Sequence, residues 1–154
     1  MEEESRHIVP NSVMLGEVRK MIAEGHQVTI KVKGVSMLPF IVGDRDSVLL
    51  VKPTDFGVGD IVLAEIGKGK YVLHRVRAIQ DFHITLMGDG NLRGTEQCLR
   101  ENVAGKVVKI IRRGKEVDPC SHREKFYVRL WLSLLPVRRW LLAIYRRQPA
   151  CLKS

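Results

Sequence analysis

Two adjoining stretches decide the fold class of this chain: Val28-Thr29-Ile30-Lys31-Val32-Lys33 and, directly after it, Gly34-Val35-Ser36-Met37-Leu38-Pro39. Apolar and polar residues alternate along the first stretch, so it has one apolar face and one face in water. A period of two is typical of a half-exposed β-strand. Gly34 and Pro39 indicate that this strand gives way to a turn with a restricted backbone.

Further short β runs follow along the chain, separated by Gly, Asp and Pro residues that favour turns. No long helical pattern separates them, which argues against an alternating βαβ fold. We therefore predict a mainly β fold, a small antiparallel β-barrel or sandwich, with an N-terminal helix over residues 12–24. The predicted strands are Ser47–Val51, Asp60–Glu65, Tyr71–Ile79, Ile84–Met87 and Val103–Ile111, and residues 112–115 form a hairpin tip before Glu116-Val117.

Positive charge is concentrated towards the C-terminus. The 154 residues carry 26 Lys+Arg and 17 Asp+Glu, a net charge of +9, and residues 121–154 alone hold eight Lys/Arg and one Glu. The change of composition after Pro119 predicts two parts. The first is a β domain over residues 1–119, and the second is a basic amphipathic tail over residues 120–154, which forms two short helices split at Pro136.

The tail has three interpretations. Its apolar stripe can pack on the β domain, with the arginines as a solvated rim. It can lie on a membrane surface, because Trp131, Trp140 and Tyr145 are interleaved with arginines and would favour anionic lipid. It can also bind nucleic acid, which we rank last because the tail is too apolar for a phosphate-binding arm and has no recognition motif.

Cysteine spacing and the N-terminus suggest a reducing compartment. Cys98, Cys120 and Cys151 fit neither a disulfide framework nor the Cys-x-x-Cys pairs of a zinc site, so we expect free thiols. We also expect neither a metal nor an organic cofactor. The chain opens with three glutamates after Met1, whereas an export signal needs basic residues and then an apolar stretch. We therefore expect a cytoplasmic protein whose membrane contact, through the tail, is peripheral at the inner face.

Ser36 and His74 could carry chemistry together. Ser36 lies where a strand ends in a rigid turn, which suits a nucleophile, although serine in a Gly/Pro turn is more often a turn-former. His74 lies inside an apolar strand, where a histidine usually packs. A neutral imidazole is also the side chain best suited to take a serine proton near neutral pH.

An acidic side chain could orient His74. Asp89 lies in the turn Gly88-Asp89-Gly90-Asn91, where Asp and Asn also serve as ordinary turn residues. In a Ser/His/acid constellation the carboxylate holds the imidazole in the right tautomer. Glu96, seven residues further on, is the rival for this role.

Several short boxes follow one another along the chain, and they are Ser36-Met37-Leu38-Pro39, Gly43-Asp44, Gly59-Asp60-Ile61-Val62, His74-Arg75-Val76, Gly88-Asp89-Gly90-Asn91 and Val103-Ala104-Gly105-Lys106-Val107. Their order resembles the signal-peptidase/LexA-like serine peptidase superfamily over about residues 12–113. LexA-like and bacterial type I enzymes have lysine where this chain has His74, so the form seen here looks like the archaeal, endoplasmic-reticulum and sporulation-type signal peptidases.

The resemblance implies a serine endopeptidase of the LexA/signal-peptidase fold, in which Ser36 is the nucleophile, His74 the general base and Asp89 a supporting acid. Gly34 has no hydroxyl to donate, so the oxyanion hole would consist of backbone N–H groups, including that of Ser36. The substrate would be an extended peptide that pairs as an added strand along Val28–Lys33. The alternative is a non-catalytic module that binds a peptide or protein partner in the same groove.

Overall fold

The computed structural model describes residues 11–34, 36–90, 94–134 and 137–146. Within these ranges it has eight β-strands, three α-helices and one 3₁₀ turn. The prediction of a mainly β fold with an N-terminal helix and a helical tail is therefore confirmed. None of the described helices is long and apolar enough to cross a membrane.

The described helices flank the strands along the chain. The helices are α1 (Asn11–Ala23), α2 (His122–Ser133) and α3 (Arg138–Arg146), and the 3₁₀ turn spans Arg100–Asn102. The strands are β1 (Val28–Lys31), β2 (Ser47–Val51), β3 (Ile61–Gly67), β4 (Lys70–Gln80), β5 (His83–Met87), β6 (Glu96–Leu99), β7 (Val103–Arg112) and β8 (Lys115–Val117).

The strands form one open antiparallel sheet. Their order is β1-β2-β7-β3-β4-β5-β6, and β8 pairs with β7 outside this path. Among the described residues no pairing joins β1 to β6, so the sheet does not close, and the expectation of a barrel is wrong. The alternation of apolar and polar residues reports which face of a strand is buried, but it does not report whether the first and last strands pair.

The central strand β3 contributes to two hydrophobic clusters. Ile61 and Leu63 belong to the larger cluster, which also includes buried residues of α1, the turn after β1, α2 and α3. Val62 and Ala64 belong to the smaller cluster, with buried residues of β4, β5 and β6. Because successive strand residues face opposite sides, β3 is covered on both faces. The neighbouring strand β4 is buried only at its centre, at His74, Arg75 and Val76.

The sequence predicted most strand positions to within two residues. The hairpin tip at residues 112–115 is confirmed, since Arg112 pairs with Lys115 and Gly114 has a φ of 80°. The strand β6 was not predicted because its sequence, Glu96-Gln97-Cys98-Leu99, contains no β-branched or aromatic residue.

The two tail helices form as predicted, and α2 packs against the sheet. Trp131 of α2 and Leu142 of α3 are 8% and 2% exposed and belong to the larger cluster. Glu124 Oε1 accepts a hydrogen bond from Arg112 Nη1 at 3.0 Å, and Ser121 Oγ caps the helix by accepting from Glu124 N. The hydrophobic core thus crosses the predicted boundary between residues 119 and 120. The split predicted at Pro136 lies outside the described residues.

Candidate active site

Ser36 lies in the turn after β1, and two glycines fix the path of this turn. Gly34 has a φ of 81°, a conformation that favours glycine. A Cβ atom on Gly43 would lie 2.2 Å from Gly34 O and 2.7 Å from Gly34 N. Only a residue without a side chain at position 43 therefore lets the two backbone segments approach this closely.

Asp46, which is fully buried, anchors the far side of the serine turn. Its carboxylate accepts hydrogen bonds from Val42 N at 2.9 Å and from Arg45 Nε at 2.7 Å. The backbone closes the loop, because Asp44 N donates to Val32 O at 2.8 Å and Val32 N donates to Asp46 O at 3.0 Å. Ser36 is thus carried on a loop whose two ends are bonded to each other.

His74 lies on β4 opposite Val62 of β3, and it is 4% exposed. Its Nδ1 atom lies 2.9 Å from Oε2 of Glu96, the first residue of β6. The sheet order β4-β5-β6 brings the two residues together from either side of β5. The carboxylate that contacts the imidazole is therefore that of Glu96, the rival identified from the sequence.

The Glu96 contact suits one tautomer of His74. When Nδ1 carries the ring proton, it donates this hydrogen bond to the Glu96 carboxylate. The neutral ring then has its lone pair on Nε2. This is the tautomer in which a general base can take a proton from a serine hydroxyl.

Asp89 has a different partner. Both of its carboxylate oxygens accept hydrogen bonds from Arg75, one from Nε at 2.8 Å and one from Nη2 at 2.7 Å. Arg75 also donates from Nη1 to Gly59 O at 2.7 Å, and its guanidinium lies 5.7 Å from the centroid of the Phe40 ring. Both side chains of the Arg75–Asp89 pair are nearly fully buried. The pair joins β4 to the turns at residues 57–60 and 88–90.

The turn that contains Asp89 is bonded to both the serine loop and the tail. Gly90 N donates to Ser36 O at 2.8 Å. On the other side, Trp131 Nε1 donates to Asp89 O at 2.8 Å, and the Trp131 ring contacts Phe40 edge to face at 6.5 Å between centroids. A continuous set of contacts therefore runs from α2 through Asp89 to the backbone of Ser36.

Ser36 and His74 line the same cavity, which has a volume of about 200 Å³. The hydrogen bonds among the described residues include none between Ser36 Oγ and His74. Catalytic hydrogen bonds are often long before substrate binds. Most of the remaining wall is apolar and is formed by Met14, Leu15, Ile30, Leu63, Tyr71 and Leu73.

Two strand edges flank this cavity. In the part of the chain that the structure describes, β1 pairs with β2 on one side only. The first half of β4, residues 70–74, pairs with β3, whereas its pairing with β5 begins at Arg75. Residues Ile30 to Lys33 and Tyr71 to His74 both line the cavity. The cavity thus lies between two backbone edges that can still form hydrogen bonds.

The rim of the cavity carries a charged pair. Lys33 lines the cavity, and its Nζ donates to Asp44 Oδ1 at 2.9 Å. This hydrogen bond, together with the positive charge of Lys33, lowers the pKa of Asp44 below its ordinary value. Among the described residues no three His, Cys, Asp or Glu side chains are grouped to bind a metal ion.

The two cysteines in the described ranges are free thiols. Cys98 is buried in β6 and Cys120 is exposed. Burial raises the pKa of the Cys98 thiol, because the thiolate is poorly solvated there. Cys98 packs in the smaller hydrophobic cluster, and Cys151 lies outside the described residues.

Sequence reasoning gave Arg75 no role of its own, and it used Trp131 only as support for a membrane interpretation of the tail. A signal for Arg75 exists, because an arginine inside an apolar strand seldom stays buried without a carboxylate partner. Trp131 offers no such signal, since a tryptophan on an amphipathic helix fits a core, a membrane surface and a partner interface equally well.

The chain matches no protein-family model, and no curated protein is significantly similar to it. What is known of the site is therefore the geometry of Ser36, His74 and Glu96 in the open sheet.

Proposed function

We propose that this protein is a serine endopeptidase in which Ser36 is the nucleophile and His74 the general base. His74 Nε2 takes the proton of Ser36 Oγ–H as the oxygen attacks the peptide carbonyl, and the negative charge moves to the carbonyl oxygen. Backbone N–H groups, including that of Ser36, stabilise this oxyanion. The protonated imidazole then returns the proton to the leaving amine, and water hydrolyses the acyl-enzyme by the same route.

The observation that carries the proposal is the presence of Ser36 and His74 in one cavity, with Glu96 on Nδ1 of His74. In this proposal Glu96 is the third member of the catalytic group, because it holds the base in the required tautomer. Asp89 has a positioning role through Arg75 and through the bond from Gly90 N to Ser36 O.

We propose in addition that the fold is of the LexA/signal-peptidase type. The support is the collinear order of the sequence boxes on an antiparallel sheet, with the serine after the first strand and the histidine at the buried centre of the long strand β4. Within this superfamily, the Ser36/His74 pair of this chain is similar to the Ser/His pair of the archaeal, endoplasmic-reticulum and sporulation-type signal peptidases.

The substrate that fits this geometry is an extended peptide. Its backbone can form hydrogen bonds to the open edge of β1 on one side and to residues 70–74 of β4 on the other. Ser36 follows β1 in sequence, and His74 is the last residue of the open segment 70–74 of β4. A peptide bound between these two edges would therefore present a carbonyl to both Ser36 and His74. The apolar cavity wall favours an apolar side chain next to the bond that is cut.

A fluorescent fluorophosphonate probe tests the proposal without knowledge of the natural substrate, because it traps an activated serine covalently. Wild-type protein should be labelled at Ser36, and Ser36→Ala should not be labelled. Ser133→Ala is the matched serine control, since Ser133 is exposed on α2 and its Oγ bonds to Leu130 O. His74→Gln should lose labelling, whereas His83→Gln, an exposed strand histidine, should keep it.

Each outcome decides between enzyme and binding module. The peptidase is supported if Ser36→Ala and His74→Gln lose labelling while the two control variants keep it. An unlabelled wild-type protein that still binds extended peptides, equally well with Ala at position 36, would favour the non-catalytic module. Thermal unfolding of each variant shows whether loss of labelling comes from loss of fold.

A further inference from the structure

A second cavity lies between α2, the β7–β8 hairpin and the turn at Pro39 and Phe40. It is separate from the Ser36 cavity and has a volume of about 690 Å³, which is within the range of about 300–1,000 Å³ typical of small-molecule sites. None of the residues proposed above for catalysis lines it.

The lining of this cavity is rich in basic side chains. Arg45, Arg112, Arg113, Lys115 and Arg123 line it together with a single carboxylate, that of Glu124. Arg112 Nη1 lies 3.0 Å from Glu124 Oε1 and neutralises this carboxylate. Arg45 Nε lies 2.7 Å from Asp46 Oδ1 and is likewise paired. In the part of the chain that the structure describes, Arg113, Lys115 and Arg123 have no carboxylate partner. This trio therefore gives the cavity a local excess of positive charge.

The lining contributed by α2 changes from basic to apolar along the helix. It runs from Arg123 in the first turn, whose guanidinium lies 5.8 Å from the centroid of the Tyr127 ring, through Leu130 to Leu134 at the C-terminus. With a rise of 1.5 Å per residue, Arg123 and Leu134 lie about 16 Å apart along the helix. A ligand that fills this cavity should therefore have an anionic head and an apolar chain.

Exposed apolar residues on α2 and α3 favour a membrane over a water-soluble ligand. On α2, Phe126 and Leu130 are 62% and 47% exposed. On and just before α3, exposed apolar residues recur at positions i, i+3, i+4 and i+7, and they are Val137, Trp140, Leu141 and Ile144. Leu142, which is buried, faces the core from the same helix. An amphipathic helix that packs on one side and exposes an apolar stripe on the other is typical of interfacial membrane binding.

We infer that this cavity binds the phosphate headgroup of an anionic membrane lipid, and that the exposed apolar residues of α2 and α3 insert beside it into the bilayer surface. Arg113, Lys115 and Arg123 neutralise the phosphate, and the wall of Tyr127, Leu130 and Leu134 contacts the first part of an acyl chain. The site is independent of the proposed peptidase activity, because it shares no catalytic group with it.

The test is sedimentation of the full chain with vesicles of phosphatidylcholine that contain one quarter phosphatidylglycerol. The variant carries Arg113→Gln, Lys115→Gln and Arg123→Gln. Its matched control carries Lys52→Gln, Lys68→Gln and Lys70→Gln, which removes the same charge from exposed lysines outside the cavity. Each basic residue near an anionic surface contributes about fivefold to binding, so the cavity variant should lose roughly a hundredfold.

A second pair of variants tests the apolar part of the lining. Leu130→Glu should abolish binding, whereas Val58→Glu, on an exposed turn distant in sequence, should leave it close to wild type. Ser36→Ala should bind vesicles as the wild type does, which keeps this result separate from the peptidase test. Circular dichroism and thermal unfolding confirm that each variant is folded.

Four results would overturn the inference. Equal binding to pure phosphatidylcholine would exclude headgroup recognition, and equal losses in the two charge variants would mean that only the net charge matters. The third is capture of a soluble polyglutamate peptide, but not of vesicles, by the wild-type protein, which would assign the basic cavity to an acidic peptide. If the wild-type protein binds inorganic phosphate saturably but binds no vesicles, the lipid is likewise excluded.

Discussion

Glu96 Oε2 lies 2.9 Å from His74 Nδ1, although the two residues belong to strands that are separated by β5. The contact places a carboxylate on the ring nitrogen opposite to the one that would face a serine. The two side chains differ in exposure, since that of Glu96 is 30% exposed and that of His74 only 6%. Glu96 can therefore be changed with little effect on packing.

Glu96→Gln should lower the rate of Ser36 labelling by about two to four orders of magnitude, because the amide no longer fixes the imidazole tautomer. Its melting temperature should stay close to that of the wild type. The control is Glu101→Gln, which changes an exposed acid in the neighbouring 3₁₀ turn and should have no effect on labelling. An unchanged labelling rate in Glu96→Gln would remove Glu96 from the catalytic group.

Asp89→Asn should act mainly on stability. It leaves the Arg75 guanidinium buried with only a neutral amide in place of its carboxylate partner, and breaking a buried ion pair costs about 3–5 kcal/mol. Urea unfolding measures the loss, and Asp55→Asn, at an exposed position, should change stability by less than about 0.5 kcal/mol. A stable Asp89→Asn protein that is no longer labelled would instead assign Asp89 the acid role that the family resemblance implies.

Gly43→Ala should destabilise the serine loop, because the new Cβ would overlap the backbone of Gly34 at 2.2 Å. Overpacking of this kind costs about 1–3 kcal/mol, and the displaced loop should also slow labelling of Ser36. Gly16→Ala is the matched control. Nothing lies within 4 Å of its Cβ position in the middle of α1, so alanine there should stabilise the protein by about 0.5–1 kcal/mol. Equal effects of the two substitutions would contradict the close approach of Gly34 and Gly43.

Acid should weaken the rim of the Ser36 cavity through Asp44. Lys33 lowers the pKa of Asp44 in the folded protein from its ordinary value of 3.8. The ion pair therefore stabilises the fold at pH values above 3.8, and this stabilisation is lost as the pH falls through the lower pKa of the folded state. Wild type and Asp44→Asn should therefore differ in stability at neutral pH and converge in strong acid. A difference that stays constant with pH in urea titrations would contradict the coupling.

Trp131→Phe should lower the free energy of unfolding by about 1–3 kcal/mol, because it removes a buried hydrogen bond to Asp89 O. Tyr127→Phe on the same helix changes a side chain that is 42% exposed, and its effect should be below about 0.5 kcal/mol. If both substitutions are equally mild in urea unfolding, α2 does not stabilise the turn that carries Asp89.

The sequence predicted elements better than their arrangement. The alternating run at β1 and the apolar runs at β2 to β5 carry their own periodicity, so their positions could be read locally. The pairing of β7 with both β2 and β3 depends on contacts that are distant along the chain, and no local pattern reports them. For the same reason the open sheet could not be distinguished from a barrel.

The candidate site was predicted in its residue types but not in its partners. Ser36 and His74 stood out because of their local setting, a strand end and an apolar strand. Two acids followed within a few residues of each other, and the choice between them depends on where Arg75 and His74 point from neighbouring positions on β4. Successive strand residues face opposite sides of the sheet, so Arg75 contacts Asp89 whereas His74 contacts Glu96.

The bond from Trp131 to Asp89 O also bears on how the protein matures during synthesis. The two residues are 42 positions apart, and translation at about 5–20 residues per second separates their appearance by about 2–8 s. Until α2 has been made, the turn that binds the backbone of Ser36 lacks one of its anchors. The nascent chain therefore completes its candidate peptidase centre late, after the sheet strands have left the ribosome.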